Sequence, residues 1–113
     1  IEASPAQLKQ VFLNLLMNAR EVMPQGGKLE ISVRSENGYV EAEVADSGGG
    51  IAPENLEKIF EPFFTTKRER GGTGLGLSVC LGIVGKHGGV IRAQNRKPKG
   101  AAFIVRLPVK EKI

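Results

Sequence analysis

A chain of 113 residues with 41% hydrophobic and 25% charged side chains has the size and balance of one compact domain spanning residues 1–113, and no second domain is expected. Its formal charge of +4 is scattered, only 5% of residues are aromatic and no segment forms an Arg- or Lys-dense recognition helix, so nucleic-acid binding is not expected. A lone Cys80 excludes an internal disulfide and a cysteine zinc cage and reads as a buried small hydrophobe in a reducing compartment. No run approaches the roughly 18 apolar residues of a membrane span, and nothing resembles a signal peptide.

Residues 1–3 read as the tail of an earlier segment, where an edge strand would fit. Ser4-Pro5 reads as an N-cap followed by proline in the first turn. Leu8, Val11, Phe12, Leu15, Leu16, Ala19, Val22 and Met23 then recur at helical spacing. Met23-Pro24-Gln25-Gly26-Gly27 stops this helix. Leu29, Ile31 and Val33 alternate with polar residues, Asn37-Gly38 signals a hairpin, and Val40, Ala42 and Val44 alternate in the returning strand. A short helix is predicted over residues 53–60 and a longer one over 73–86. Strands follow over 90–94 and 102–107, joined by Arg96-Lys97-Pro98-Lys99-Gly100, which reads as a solvated hairpin loop. This order predicts an α+β, two-layer sandwich: a mixed, mostly antiparallel sheet covered on one face by about three helices.

Fifteen glycines are about twice the usual share of roughly 7%, and they cluster at 48–50, 71–76 and 82–89. Asp46-Ser47-Gly48-Gly49-Gly50 ends an alternating strand, and the alternation turns Asp46 toward the core. A buried carboxylate needs a donor, either from a neighbouring backbone or from a ligand such as the exocyclic amine of adenine, for which Gly48 and Gly50 clear space. Gly71-Gly72-Thr73-Gly74-Leu75-Gly76-Leu77 is neither a Walker loop nor a dinucleotide fingerprint. It runs into an apolar helix, whose free N–H groups and positive end suit phosphates.

Asn14 and Asn18 lie one turn apart on the first helix, and an amide oxygen there is either satisfied within the protein or is a hard ligand suited to Mg²⁺. Phe60, Phe63 and Phe64 read as anchors of a segment at 65–72 that closes over phosphates, with Lys67 as its cation, or else as ordinary core residues beside a basic loop.

Taken together, Asn14-Leu15-Leu16-Met17-Asn18-Ala19, Asp46-x-Gly48-x-Gly50, Phe60 to Phe64 and Gly72-Thr73-Gly74-Leu75-Gly76-Leu77 resemble the catalytic ATP-binding domain of two-component sensor histidine kinases. The likeness runs from Gln7 to Pro108, and Phe63-Phe64-Thr65-Thr66-Lys67 is similar to the subgroup with a compact lid. It implies an ATP-binding fold shared with gyrase, the Hsp90 chaperones and mismatch-repair ATPases.

The resemblance also implies roles. Asp46 takes the adenine amine and Asn18 is the Mg²⁺ ligand. Asn14, Arg20, Glu21, Gly48, Gly50, Ile51, Thr65, Thr66, Lys67, Gly72, Thr73, Gly74, Leu75, Gly76 and Leu77 line the ATP site, and Asn18 and Lys67 act in catalysis. Hydrolysing relatives carry a glutamate where this chain has Asn14, whose amide cannot accept a proton, so phosphoryl transfer to a protein is expected instead. The acceptor histidine is expected on a dimerisation domain of the same kinase, and a response-regulator receiver domain would be reached indirectly through it. His87 reads as a helix terminus rather than an acceptor.

The chain departs from the family pattern in three places. Val22 stands where many members place an aromatic residue, Glu21 replaces a frequent lysine, and Ala101 replaces a frequent hydroxyl. A monomeric domain in the cytoplasm, with the intact protein free to be membrane-anchored, completes the expectation. The alternatives are a serine-directed kinase of the anti-sigma type and a nucleotide-sensing interaction module without transfer.

Overall fold

The computed structural model describes residues 3–61, 76–97 and 99–109. Helix α1, Pro5–Val22, starts at Ser4, whose hydroxyl accepts from the Gln7 N–H at 3.3 Å, and ends where the Met23 N–H turns back to the Arg20 carbonyl. Strands β1, Leu29–Glu36, and β2, Tyr39–Asp46, are joined through Asn37 and Gly38 at φ 48° and 80°, the pair of positive angles that a type I′ hairpin requires. Helix α2, Gly76–Lys86, is followed by β3, Val90–Asn95, and β4, Ala101–Pro108.

All three strand pairings are antiparallel, in the order β1-β2-β4-β3, so the sheet described has no parallel member. Its inner face carries Val44, Ile91, Phe103, Val105 and Leu107 against Val11 and Leu15 of α1 and Cys80 and Val84 of α2. Fully burying a side chain the size of Leu15 contributes roughly 1.5–3 kcal/mol, so this one layer of contacts dominates the stability. On the outer face Ile104 is buried between its cross-strand neighbours Glu43 and Arg92.

Among the described residues β1 forms an edge, and its whole length is exposed. Leu29, Ile31 and Val33 lie on the same side as their partners Asp46, Val44 and Ala42, the side covered by helices elsewhere, yet Ile31 is 57% and Val33 67% exposed.

The helix predicted over 53–60 is instead a single 3-10 turn, Pro53–Asn55, followed by further turns. Its bonds run mainly from residue i+3 back to i: Leu56 to Pro53, Lys58 to Asn55 and Glu61 to Lys58. So short a segment cannot repay helix nucleation by itself. Its path is set by burial of Ile59 and by Phe60, which meets Phe103 edge-on at 6.2 Å. Two α-helices are thus described where about three were expected.

His87 closes the far end of the layer. The Ser4 N–H donates to its Nε2 at 3.1 Å, so the proton sits on Nδ1, which donates to the Ile83 carbonyl at 2.8 Å. The ring therefore joins the start of α1 to the end of α2, in keeping with a structural role.

Candidate functional site

Asp46 is the only buried charged side chain among the described residues, 2% exposed at the end of β2. Its Oδ1 accepts from the Gly48 N–H at 2.8 Å and from the Ala101 N–H at 3.3 Å. Two main-chain donors on one oxygen fix the plane of the carboxylate, and among the described residues no donor reaches Oδ2. Of the two options left open by the strand pattern, the described residues show the backbone one, with Oδ1 held by main-chain donors.

The surroundings explain the glycines. A Cβ on Gly48 would stand 2.8 Å from the Val22 carbonyl oxygen, so the loop after β2 could not lie against the end of α1 with any larger residue. Gly100, at φ +101°, lies so close to the Asp46 carbonyl oxygen that a Cβ there would overlap it. The hairpin between β3 and β4, which reads from sequence as solvated, keeps Lys97 and Lys99 exposed but brings Arg96 and Gly100 against Asp46. Arg96 reaches from it to the Asp46 carbonyl at 3.3 Å and to Glu30 at 3.5 Å. Ala101, lacking the frequent hydroxyl, still holds Asp46 through its backbone.

Downstream, Ile51 is held by a residue that sequence reasoning missed. Asn95 Oδ1 accepts from the Ile51 N–H and Asn95 Nδ2 donates to the Ile51 carbonyl, each at 2.7 Å. Ile51 also packs against the core.

Helix α1 links this loop to the second glycine cluster. One turn before Asn18, Asn14 Nδ2 donates to the Gly76 carbonyl at 3.2 Å, while its Oδ1 accepts from Gln10 at 2.8 Å. Asn14 is thus a clamp on the start of α2. Asn18 is half-buried on the same helix, and Arg20 and Glu21 are exposed near its end, where Val22 meets Gly48. Gly76 opens α2 at the surface, and Leu77 packs against the core. Thr65, Thr66, Lys67, Gly72, Thr73, Gly74 and Leu75, with Phe63 and Phe64, lie outside the described residues.

Beneath the clamp, Cys80 is buried with its Sγ 3.5 Å from the Val11 carbonyl. Burial pushes its thiol up from 9.0 to about 11, partly opposed by the Asn14 side chain. Among the described residues no three His, Cys, Asp or Glu side chains gather into a metal cluster, and no helix is long and apolar enough to cross a membrane.

Comparison with known proteins agrees with this geometry. Sensor histidine kinase ZraS of Escherichia coli O157:H7 is 47% identical over 109 residues, which cover 96% of this chain and 23% of ZraS. The chain thus spans about a quarter of that relative's length. Among solved structures, the nucleotide-free catalytic domain of histidine kinase ThkA superposes with a TM-score of 0.85 at 44% identity, covering 96% of this chain and 71% of that one. ThkA in complex with the response regulator TrrA gives 0.83 at 40% identity, covering 97% of this chain and 30% of that one. Full-length ShkA in complex with AMPPNP gives 0.82 at 30% identity, covering 94% and 22%. The family profile described as "Histidine kinase-, DNA gyrase B-, and HSP90-like ATPase" matches residues 3–111, so the chain belongs to that family, and within it is similar to the catalytic domains of sensor histidine kinases.

Proposed function

We propose that this domain binds Mg²⁺-ATP and passes its γ-phosphoryl group to a histidine on the dimerisation domain of the same kinase, from which a response-regulator receiver domain takes it in the cytoplasm. The observation that carries this reading is Asp46. It is buried, its plane is fixed through Oδ1, and Oδ2 has no donor among the described residues. An exocyclic amine would donate to Oδ2, which selects adenine over a base that presents a carbonyl there.

The residues present fit the rest of the nucleotide. Asn18 offers a neutral amide oxygen of the kind that holds Mg²⁺ together with phosphate oxygens and waters, and no carboxylate cluster competes for the ion among the described residues. When bound, Mg²⁺ neutralises charge on the β- and γ-phosphates. The free N–H groups at the N-terminal end of α2 suit the phosphates, and Lys67 is assigned as the added cation. Asn14 spends its amide on Gly76 and Gln10 and has no proton-accepting group for water, which favours transfer to a protein acceptor over hydrolysis. The solved complexes of ShkA with AMPPNP and of ThkA with TrrA support both ends of the scheme.

Titration calorimetry with Mg²⁺-ADP tests the binding half. The wild type is expected to give saturable heat. Asp46→Asn should bind roughly 10- to 100-fold more weakly, the range for losing a charge-assisted hydrogen bond. Absence of wild-type binding would overturn the reading. For the transfer half, labelled ATP and a competent dimerisation domain should yield an acid-labile phosphoprotein. An acid-stable product would point to serine.

A further inference from the structure

The loop from Ser47 to Ala52 has no strand partner, yet it must keep Gly48 and Gly50 in place beside Asp46. Its start is held by Lys28, whose carbonyl accepts from the Ser47 N–H at 3.1 Å and whose N–H donates to the Ser47 hydroxyl at 2.8 Å, and by Asp46, whose Oδ1 accepts from the Gly48 N–H. Its end is held by one side chain, Asn95, the last residue of β3. The Asn95 amide stands to Ile51 as a backbone peptide stands to its partner in a sheet, accepting from the N–H and donating to the carbonyl at 2.7 Å each. It also sets the limit on Gly50, whose φ is +81° and whose notional Cβ would lie 3.0 Å from Asn95 Oδ1.

We propose that Asn95 is a positioning residue for nucleotide binding: by bonding both the N–H and the carbonyl of Ile51 it holds the loop in the shape that receives the base. This rests on the nucleotide reading above. Asn95 acts through Ile51 and Gly50 and touches no reacting atom. Aspartate in its place would keep the acceptor for the Ile51 N–H but set a carboxylate oxygen against the Ile51 carbonyl, so both halves of the amide are needed.

The test compares wild type, Asn95→Ala and Asn95→Asp, with Lys97→Ala as a neighbouring control. The readouts are Tm without ligand, affinity for Mg²⁺-ADP, affinity for Mg²⁺-tripolyphosphate, and hydrogen exchange of the Ile51 amide. Asn95→Ala is expected to weaken Mg²⁺-ADP roughly fivefold or more, the scale of losing one or two hydrogen bonds, and to speed exchange at Ile51. Tripolyphosphate affinity, Tm and the control should stay close to wild type. Equal ADP affinity in the variants would overturn the proposal, as would a parallel loss of tripolyphosphate affinity with a falling Tm, which marks a merely structural role. If Asn95→Ala does not fold, Asn95→Asp carries the same comparison. If the wild type itself fails to bind ADP, the nucleotide reading falls and with it the ligand named here. Exchange at Ile51 then decides the clamp alone, unchanged exchange overturning it.

Discussion

Asp46 and Gly100 are distant in sequence and inseparable in space. Because Gly100 is left-handed and abuts the Asp46 carbonyl, Gly100→Ala combines backbone strain of about 1–3 kcal/mol with a clash against main chain that cannot rotate away. Urea unfolding should show a loss of at least about 2 kcal/mol. Cys80 makes a pH prediction. Its folded thiol titrates near 11, above the ordinary 9.0, because the core favours the uncharged form. The associated stability is complete below pH 9 and is lost as pH rises through about 11, so Tm should fall over that interval, and less so in Cys80→Ala. The inward turn of Asp46 is legible in the sequence, because strand alternation dictates it. The role of Asn95 is not, since its partner is 44 positions away and nothing in Arg92-Ala93-Gln94-Asn95 distinguishes it from ordinary polar strand residues.

At the scale of elements, legibility follows the number of independent signals that agree. Helix α1 has a cap, a proline in its first turn and an apolar stripe, and its ends fall where those signals place them. Ser4→Ala removes the hydroxyl that receives the Gln7 N–H and should cost about 1 kcal/mol, measured by chemical denaturation. The Asn37-Gly38 hairpin is likewise explicit. Residues 53–60 offer only a proline and mixed spacing, and tertiary anchors at Ile59 and Phe60 decide their path. The β3–β4 hairpin misleads for a different reason. Arg, Lys, Pro and Gly are what a solvated turn contains, and composition cannot show that Arg96 and Gly100 face inward to Asp46 while Lys97 and Lys99 face out.

At the scale of the whole molecule, the described residues cover one face of the sheet with two helices and leave β1 as an exposed edge. Ile31 contributes little burial there, so Ile31→Lys should change stability by no more than about 0.5 kcal/mol. The same charge on an exposed edge strand should reduce concentration-dependent self-association, read by sedimentation, because such strands template pairing with other chains. Unchanged stability with less association is the expected pair of results. The sealed side carries a practical consequence. Cys80 is the chain's sole cysteine, and burial together with its reluctance to ionise shields it from maleimides at neutral pH. A cysteine introduced at Lys97 would therefore accept a fluorophore selectively, on a turn whose flanks grip the loop beside Asp46. The native fold thus leaves a single introduced thiol open to selective labelling.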